Sequence, residues 1–129
     1  MIILVLVFGG AYQGKLEYVY RQFSLSEDDV HFCNINDTDY PEHKRVVYGL
    51  DKWILALIRS DSESSDAVKS LVNNYHDVIF VCDDISCGVV PMEADMRKWR
   101  EAVGRALAEI AQNSDEVIRM FCGIPTRLK

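Results

Sequence analysis

The sequence predicts a single α/β domain, residues 1–129, with a mainly parallel sheet and helices on both of its faces. Three observations carry that expectation. Strand-like and helix-like segments alternate along the chain. The strand-like segments are unbroken apolar runs, as strands buried on both faces require. The first of them leads directly into Gly9-Gly10-Ala11-Tyr12-Gln13-Gly14-Lys15-Leu16. There the pattern G-x-x-x-x-G-K stands between a strand and a helix, the arrangement that cradles phosphate.

The first strand covers about residues 2–8, inside the apolar run MIILVLVF. The helix after the loop runs from Gly14 to about Gln22, with Leu16, Val19 and Tyr20 at core-facing spacing. Residues 24–29 are polar and acidic and read as a loop. Residues 30–35 (VHFCNI) form a short second strand, and residues 36–44, with Pro41, a surface connection. Residues 45–50 (RVVYGL) form a third strand. Asp51 is placed to cap a helix over 52–60, whose apolar stripe is Trp53, Ile54, Leu57 and Ile58. A loop over 61–65 precedes a helix over 66–75 that aligns Val68, Leu71 and Val72. Residues 77–82 (DVIFVC) are apolar and rich in β-branching, the mark of a buried strand, with Asp83 and Asp84 at its carboxyl end. Residues 86–91 read as a loop. The longest helix spans 93–112, where Met96, Trp99, Val103, Ala106, Leu107 and Ile110 keep a helical period. Residues 116–122 (EVIRMFC) form another strand, 123–125 a turn, and 126–129 a last short strand.

The loop types suit phosphate for physical reasons. Glycines let backbone N–H groups turn inward around phosphate oxygens. The helix that follows adds further donors and the positive end of its dipole. Lys15 supplies a mobile cation to the β- and γ-phosphates. The final position departs from the pattern: Leu16 stands where a Ser or Thr hydroxyl would reach Mg²⁺. The loop, Asp83–Asp84 and 123–125 all fall at strand carboxyl ends, where ligands of parallel sheets sit. Asp83 and Asp84 form a carboxylate pair at one such end, and Asp51 reads as a helix cap.

Composition narrows the classes. The chain has a net charge of −6, with 49% hydrophobic and 26% charged residues. An acidic domain lacks the basic field of a general nucleic-acid binder, yet one loop suffices for a nucleotide. The N-terminal apolar run is too short to span a membrane and lacks a basic leader, so no membrane association is expected. Of the four cysteines, Cys33, Cys82 and Cys122 lie in or beside strand-like runs and read as buried thiols. No C-x-x-C pair is present, so no metal site is expected, and a reducing, cytoplasmic compartment fits best.

Residues 77–129 resemble the C-terminal half of the bifunctional adenosylcobinamide kinase / adenosylcobinamide-phosphate guanylyltransferases. The family run V-x-N-E-V-G-x-G-I-V-P corresponds to residues 81–91 (VCDDISCGVVP). F-R-D-x-x-G-R-x-N-Q corresponds to residues 99–108 (WREAVGRALA), and the terminal A-D-E-V…G-I-P…K to residues 114–129. The loop is similar to G-G-A-x-S-G-K-S, and residues 46–58 are similar to the Walker-B strand and its helix, with Trp53 in place. The resemblance implies a P-loop NTPase-like α/β fold, GTP or ATP at the loop (Gly9, Gly10, Ala11, Gln13, Gly14, Lys15 and Leu16), and assembly as a homotrimer. It implies transfer of a phosphoryl group, then of GMP through a guanylylated histidine, to adenosylcobinamide in cobalamin biosynthesis. Lys15 and Asp84 are the catalytic candidates carried over.

The departures concern the same chemistry. Leu16 replaces the Mg²⁺-binding serine, Gln13 the loop serine, and Tyr48 the Walker-B acid, which leaves the role of Mg²⁺ in doubt. The segment bearing the nucleophilic histidine is largely absent; His43 is the nearest histidine and a poor candidate. Two readings therefore stand: a nucleotide-binding transferase acting on a corrinoid, or a catalytically impaired paralogue that binds nucleotide or serves as a partner subunit.

Overall fold

The central strands of this protein supply two cores, because successive side chains point to opposite faces of a sheet. The computed structural model describes residues 3–10, 14–62, 64–85 and 94–129. Its elements are β1 (Leu4–Gly9), α1 (Lys15–Phe23), β2 (Val30–Phe32), β3 (Val46–Tyr48), α2 (Leu50–Arg59), α3 (Ser64–Asn74), β4 (Val78–Asp83), α4 (Ala94–Asn113), β5 (Glu116–Phe121) and β6 (Ile124–Arg127). They form one six-stranded sheet in the order β2-β3-β4-β1-β5-β6. All neighbours are parallel except β5 and β6. The expected α/β architecture with a mainly parallel sheet is therefore present.

In β1, Leu4 and Leu6 face one core, with Phe80 and Cys82 of β4, Trp53 and Ile54 of α2, Leu71 of α3 and Val103 of α4. Val5 and Val7 face the other, with Ile79 and Val81 of β4, Met120 of β5 and Val19 of α1. Helices cover both faces, three on one side and α1 on the other. Trp53 is fully buried and keeps a partner for its indole, Nε1 donating to Thr38 O at 3.3 Å.

Three expectations need correction. The first concerns α2, which starts at Leu50. Its N-cap is Gly49 in the left-handed region (φ 80°), with no side-chain cap. Asp51 is thereby inside the first turn and buried, not a cap. The second concerns the C-terminal hairpin. Its turn falls on Cys122 and Gly123, both left-handed (φ 52° and 74°), as a two-residue hairpin turn demands. Ile124 and Pro125 consequently begin β6 instead of forming a turn. Pro125 is tolerated there because β6 is an edge strand. The third follows from it: Cys122 is exposed on the turn, while Cys33 and Cys82 are buried. Burial pushes the Cys33 thiol up to about 12 and raises that of Cys82 as well. Cys87 lies outside the described residues. Among the described residues no helix is long and apolar enough to cross a membrane.

Candidate phosphate-binding site

β1 ends between β4 and β5, with Gly9 opposite Asp83 on one side and Met120 on the other. A Cβ on Gly9 would lie 2.3 Å from the Met120 carbonyl oxygen, so only glycine lets the strands close here. The chain re-enters at Gly14, which caps α1 in the left-handed region (φ 79°) without a side-chain hydrogen bond. The first intrahelical bond from this cap runs from Tyr18 N–H to Gly14 O at 3.0 Å. The amides of the first turn thus precede any intrahelical pairing, which is the donor set a helix N-terminus offers to an anion. Gly123, in the hairpin turn, approaches this cap: a Cβ on Gly14 would sit 3.9 Å from its Cα. The strand-end convergence expected from the sequence is thus realised between loop, β4 end and hairpin. Ala11 and Gln13, expected in the cradle, and the 86–91 loop lie outside the described residues.

Lys15, expected to reach the phosphates as a cation, lies within the rim. It is only 4% exposed. Its Nζ donates to Gly10 O at 2.6 Å and pairs with Asp83 Oδ1 at 2.7 Å. The pair forms because β4 lies directly beside β1, so the last residue of β4 meets the first residue of α1. Asp84, the acid favoured from the sequence, donates its backbone N–H to Gly9 O at 2.7 Å, tying the end of β4 across β1.

Asp51 joins the same group from α2. Asp83 N–H donates to Asp51 Oδ1 at 3.2 Å, and Trp99 Nε1 of α4 donates to the Asp51 carbonyl at 2.8 Å. Burial raises the Asp51 pKa, and the neighbouring Asp83 charge raises it further. Sequence reasoning passed over this residue as a cap. The available signal was an acid two residues after Gly49, a glycine able to start the helix ahead of it.

The two positions at which the motif would supply side chains to Mg²⁺ carry none that fit. Leu16 packs against the core beneath α1. The Tyr48 ring meets Phe32 edge-on at 5.5 Å and lies 5.7 Å below Lys52 Nζ. Among the described residues no three His, Cys, Asp or Glu side chains are grouped to hold a metal.

His43 is at the other end of the sheet. Its Nε2 lies 2.8 Å from His76 O, just before β4, and its ring stacks on Tyr75 with centroids 4.9 Å apart. The length of β4, about 20 Å at ~3.3 Å per residue, separates it from Asp83 and Lys15. The structure does not bring His43 to the loop.

A model of the family described as cobinamide kinase / cobinamide phosphate guanyltransferase matches residues 21–128, more than three quarters of the chain. This chain belongs to that family. The matched residues include β4, α4 and the hairpin but begin beyond the loop, so the phosphate site itself rests on the geometry of Gly9, Gly10, Gly14, Lys15 and Asp83. No curated protein matches the chain. In the cobinamide kinase / guanyltransferase setting, Trp99 and the Arg100–Arg105 stretch of α4 fall in the matched part. Trp99 serves as an anchor on α2, and Arg105 lines an exposed cleft of about 440 Å³ between α3 and α4 with Lys69 and Glu109.

Proposed function

We propose that the rim formed by residues 9–15 and the end of β4 binds the triphosphate of GTP or ATP. On this reading the protein serves cobalamin biosynthesis, by phosphoryl or nucleotidyl transfer to adenosylcobinamide. The observation that carries the reading is Lys15: a buried ammonium at the start of α1, held between the Gly10 carbonyl and the carboxylate of Asp83. An ammonium has three donors. Gly10 O and Asp83 Oδ1 take two of them, leaving one for a phosphate oxygen. The α1 amides add neutral donors, and phosphoryl transfer depends mainly on such positioning and charge stabilisation. Asp83 and Asp84, at the carboxyl end of β4, are the acids beside this rim.

Two observations favour a second reading, nucleotide binding without turnover. The Leu16 side chain and the Tyr48 ring pack against their neighbours, so Mg²⁺ finds no Ser or Thr hydroxyl at position 16 and no carboxylate at position 48. Backbone contacts to phosphate survive such losses, whereas catalysis suffers more. A homotrimer belongs to the same family reading, and the exposed Phe121, Ile124 and Leu128 near the hairpin support burial against another copy.

Calorimetry with GTP and ATP, each with and without Mg²⁺, followed by product analysis with adenosylcobinamide, separates the readings. Mg²⁺-dependent binding with product formation supports the transferase. Binding indifferent to Mg²⁺ without product supports the second reading. No binding at millimolar nucleotide overturns both.

A further inference from the structure

We propose that Asp51 is a positioning residue for Lys15: through the Asp83 N–H it holds the end of β4 so that the Asp83 carboxylate stays on the Lys15 ammonium. The consequence for nucleotide rests on the phosphate-site reading; the positioning itself does not.

Among the described residues only Lys15, Asp51 and Ser114 are buried polar or charged groups. Ser114 is accounted for by its bond to Ile110 O at 2.6 Å. The other two are both charged, and both touch Asp83, one at the side chain and one at the backbone. A buried carboxylate is costly unless its surroundings hold it. Here the start of α2 favours negative charge, and the Asp83 N–H supplies a donor. Trp99 then fixes Asp51 from α4 through the Asp51 carbonyl. The result is a continuous chain from α4 through α2 and β4 to the loop lysine. Without an acceptor at Asp51, the Asp83 amide loses its partner, and the last residue of β4 is no longer fixed opposite Lys15.

Asp51 also sets the charge of the site. The groups facing it are Asp83 and Cys82 from β4, Lys52 from its own helix and Cys33 after β2, with Lys15 acting through Asp83. With both carboxylates ionised, Lys15, Asp83 and Asp51 carry one net negative charge, which opposes a triphosphate. Burial raises the Asp51 pKa, so the acid form persists to higher pH than for an exposed Asp. As pH falls through that pKa, the Asp51 charge leaves the site and affinity for an anion rises. A merely structural Asp51 would not couple affinity to pH in this way.

The test needs no nucleotide at first. Native protein is treated briefly with an amine-acylating reagent, and modification of Lys15 is followed by mass spectrometry in wild type, Asp51→Asn and Asp51→Ala. Melting curves check that each variant is folded. Asp51→Asn keeps an acceptor oxygen in place and is expected to label within about two-fold of wild type; Asp51→Ala loses it and labels about ten-fold faster, the scale of one lost buried partner. Equal rates in a folded Asp51→Ala protein, or Asp51→Asn labelling as fast as Asp51→Ala, overturn the proposal. GTP affinity of wild type and Asp51→Asn is then compared as pH is lowered over the range in which both stay folded. Wild type gains affinity toward acid pH beyond any gain in Asp51→Asn, and parallel profiles overturn the charge coupling; if Asp51→Ala does not fold, Asp51→Leu, which also lacks the acceptor, is labelled in its place, and a rate equal to wild type overturns the positioning. If no protein binds GTP while the labelling pattern holds, the phosphate-site reading fails and the positioning of Lys15 stands.

Discussion

Substituting Gly9 by alanine tests whether the rim depends on close approach of β1 and β5. The added Cβ would meet Met120 O at 2.3 Å and Met120 C at 3.2 Å. Both are backbone atoms held in the ladder that pairs Gly9 with Met120, so no side chain can swing aside. An ordinary contact requires the strands to part by about 1 Å. Overpacking of this kind costs about 1–3 kcal/mol. We expect the upper half of that range, because Gly9 is also held from β4 by the Asp84 N–H. For a chain of this size that corresponds to a Tm lower by roughly 8–12 °C, at about 4 °C per kcal/mol. Thermal denaturation followed by circular dichroism gives the number directly. Gly104→Ala is the matched control: its Cβ meets nothing within 4 Å, and it lies in the middle of α4. Helix propensity then predicts a gain of about 1 kcal/mol. A Gly9→Ala protein that melts within about 2 °C of wild type would refute the close-approach argument.

Asp51→Asn is expected to raise the Tm at neutral pH. The folded-state pKa of Asp51 lies above its unfolded value, so ionisation weakens the fold as pH rises through the folded pKa. The advantage of Asn shrinks as pH falls and vanishes below the ordinary aspartate range near ~3.9; an advantage independent of pH contradicts the assignment. Thiol labelling of native protein followed by peptide mapping is expected to modify Cys122 quickly and Cys33 and Cys82 only on unfolding, with prompt reaction at Cys33 as the contrary result. Combining Leu16→Ser with Tyr48→Asp is expected to make GTP affinity depend on Mg²⁺ by at least about ten-fold, since a bound divalent ion contributes several kcal/mol at a phosphate. Unchanged Mg²⁺ dependence in the folded double variant means that those two side chains do not explain the departure.

Much of the fold is legible because its strands are apolar throughout. Residues 4–9 and 78–83 announce strands buried on both faces, and the periods of α2 and α4 announce helices. What stays hidden is which strands become neighbours. Lys15 and Asp83 are 68 positions apart, and only the β1–β4 register, Gly9 opposite Asp83, turns them into a pair. The sequence favours Asp84 there, and nothing local distinguishes two successive aspartates. Asp51 reads as a cap because it precedes an apolar helix, yet Gly49 at positive φ starts that helix earlier and carries Asp51 into the first turn. The hairpin is displaced for a related reason. Cysteine is not a residue expected in a left-handed turn, so Gly123 and Pro125 attracted the turn toward themselves. The loop glycines are the opposite case, since Gly9 and Gly14 each meet a constraint that their residue type foretells.

The phosphate site depends on Lys15 as a ligand. Titration calorimetry of GTP into wild type and into Lys15→Ala, at one pH and salt concentration, measures this. The expected result is saturable binding by wild type and at least a hundred-fold loss in the variant, about 2.8 kcal/mol, with both proteins folded by circular dichroism. Equal affinities in the two proteins would contradict the phosphate site at its centre.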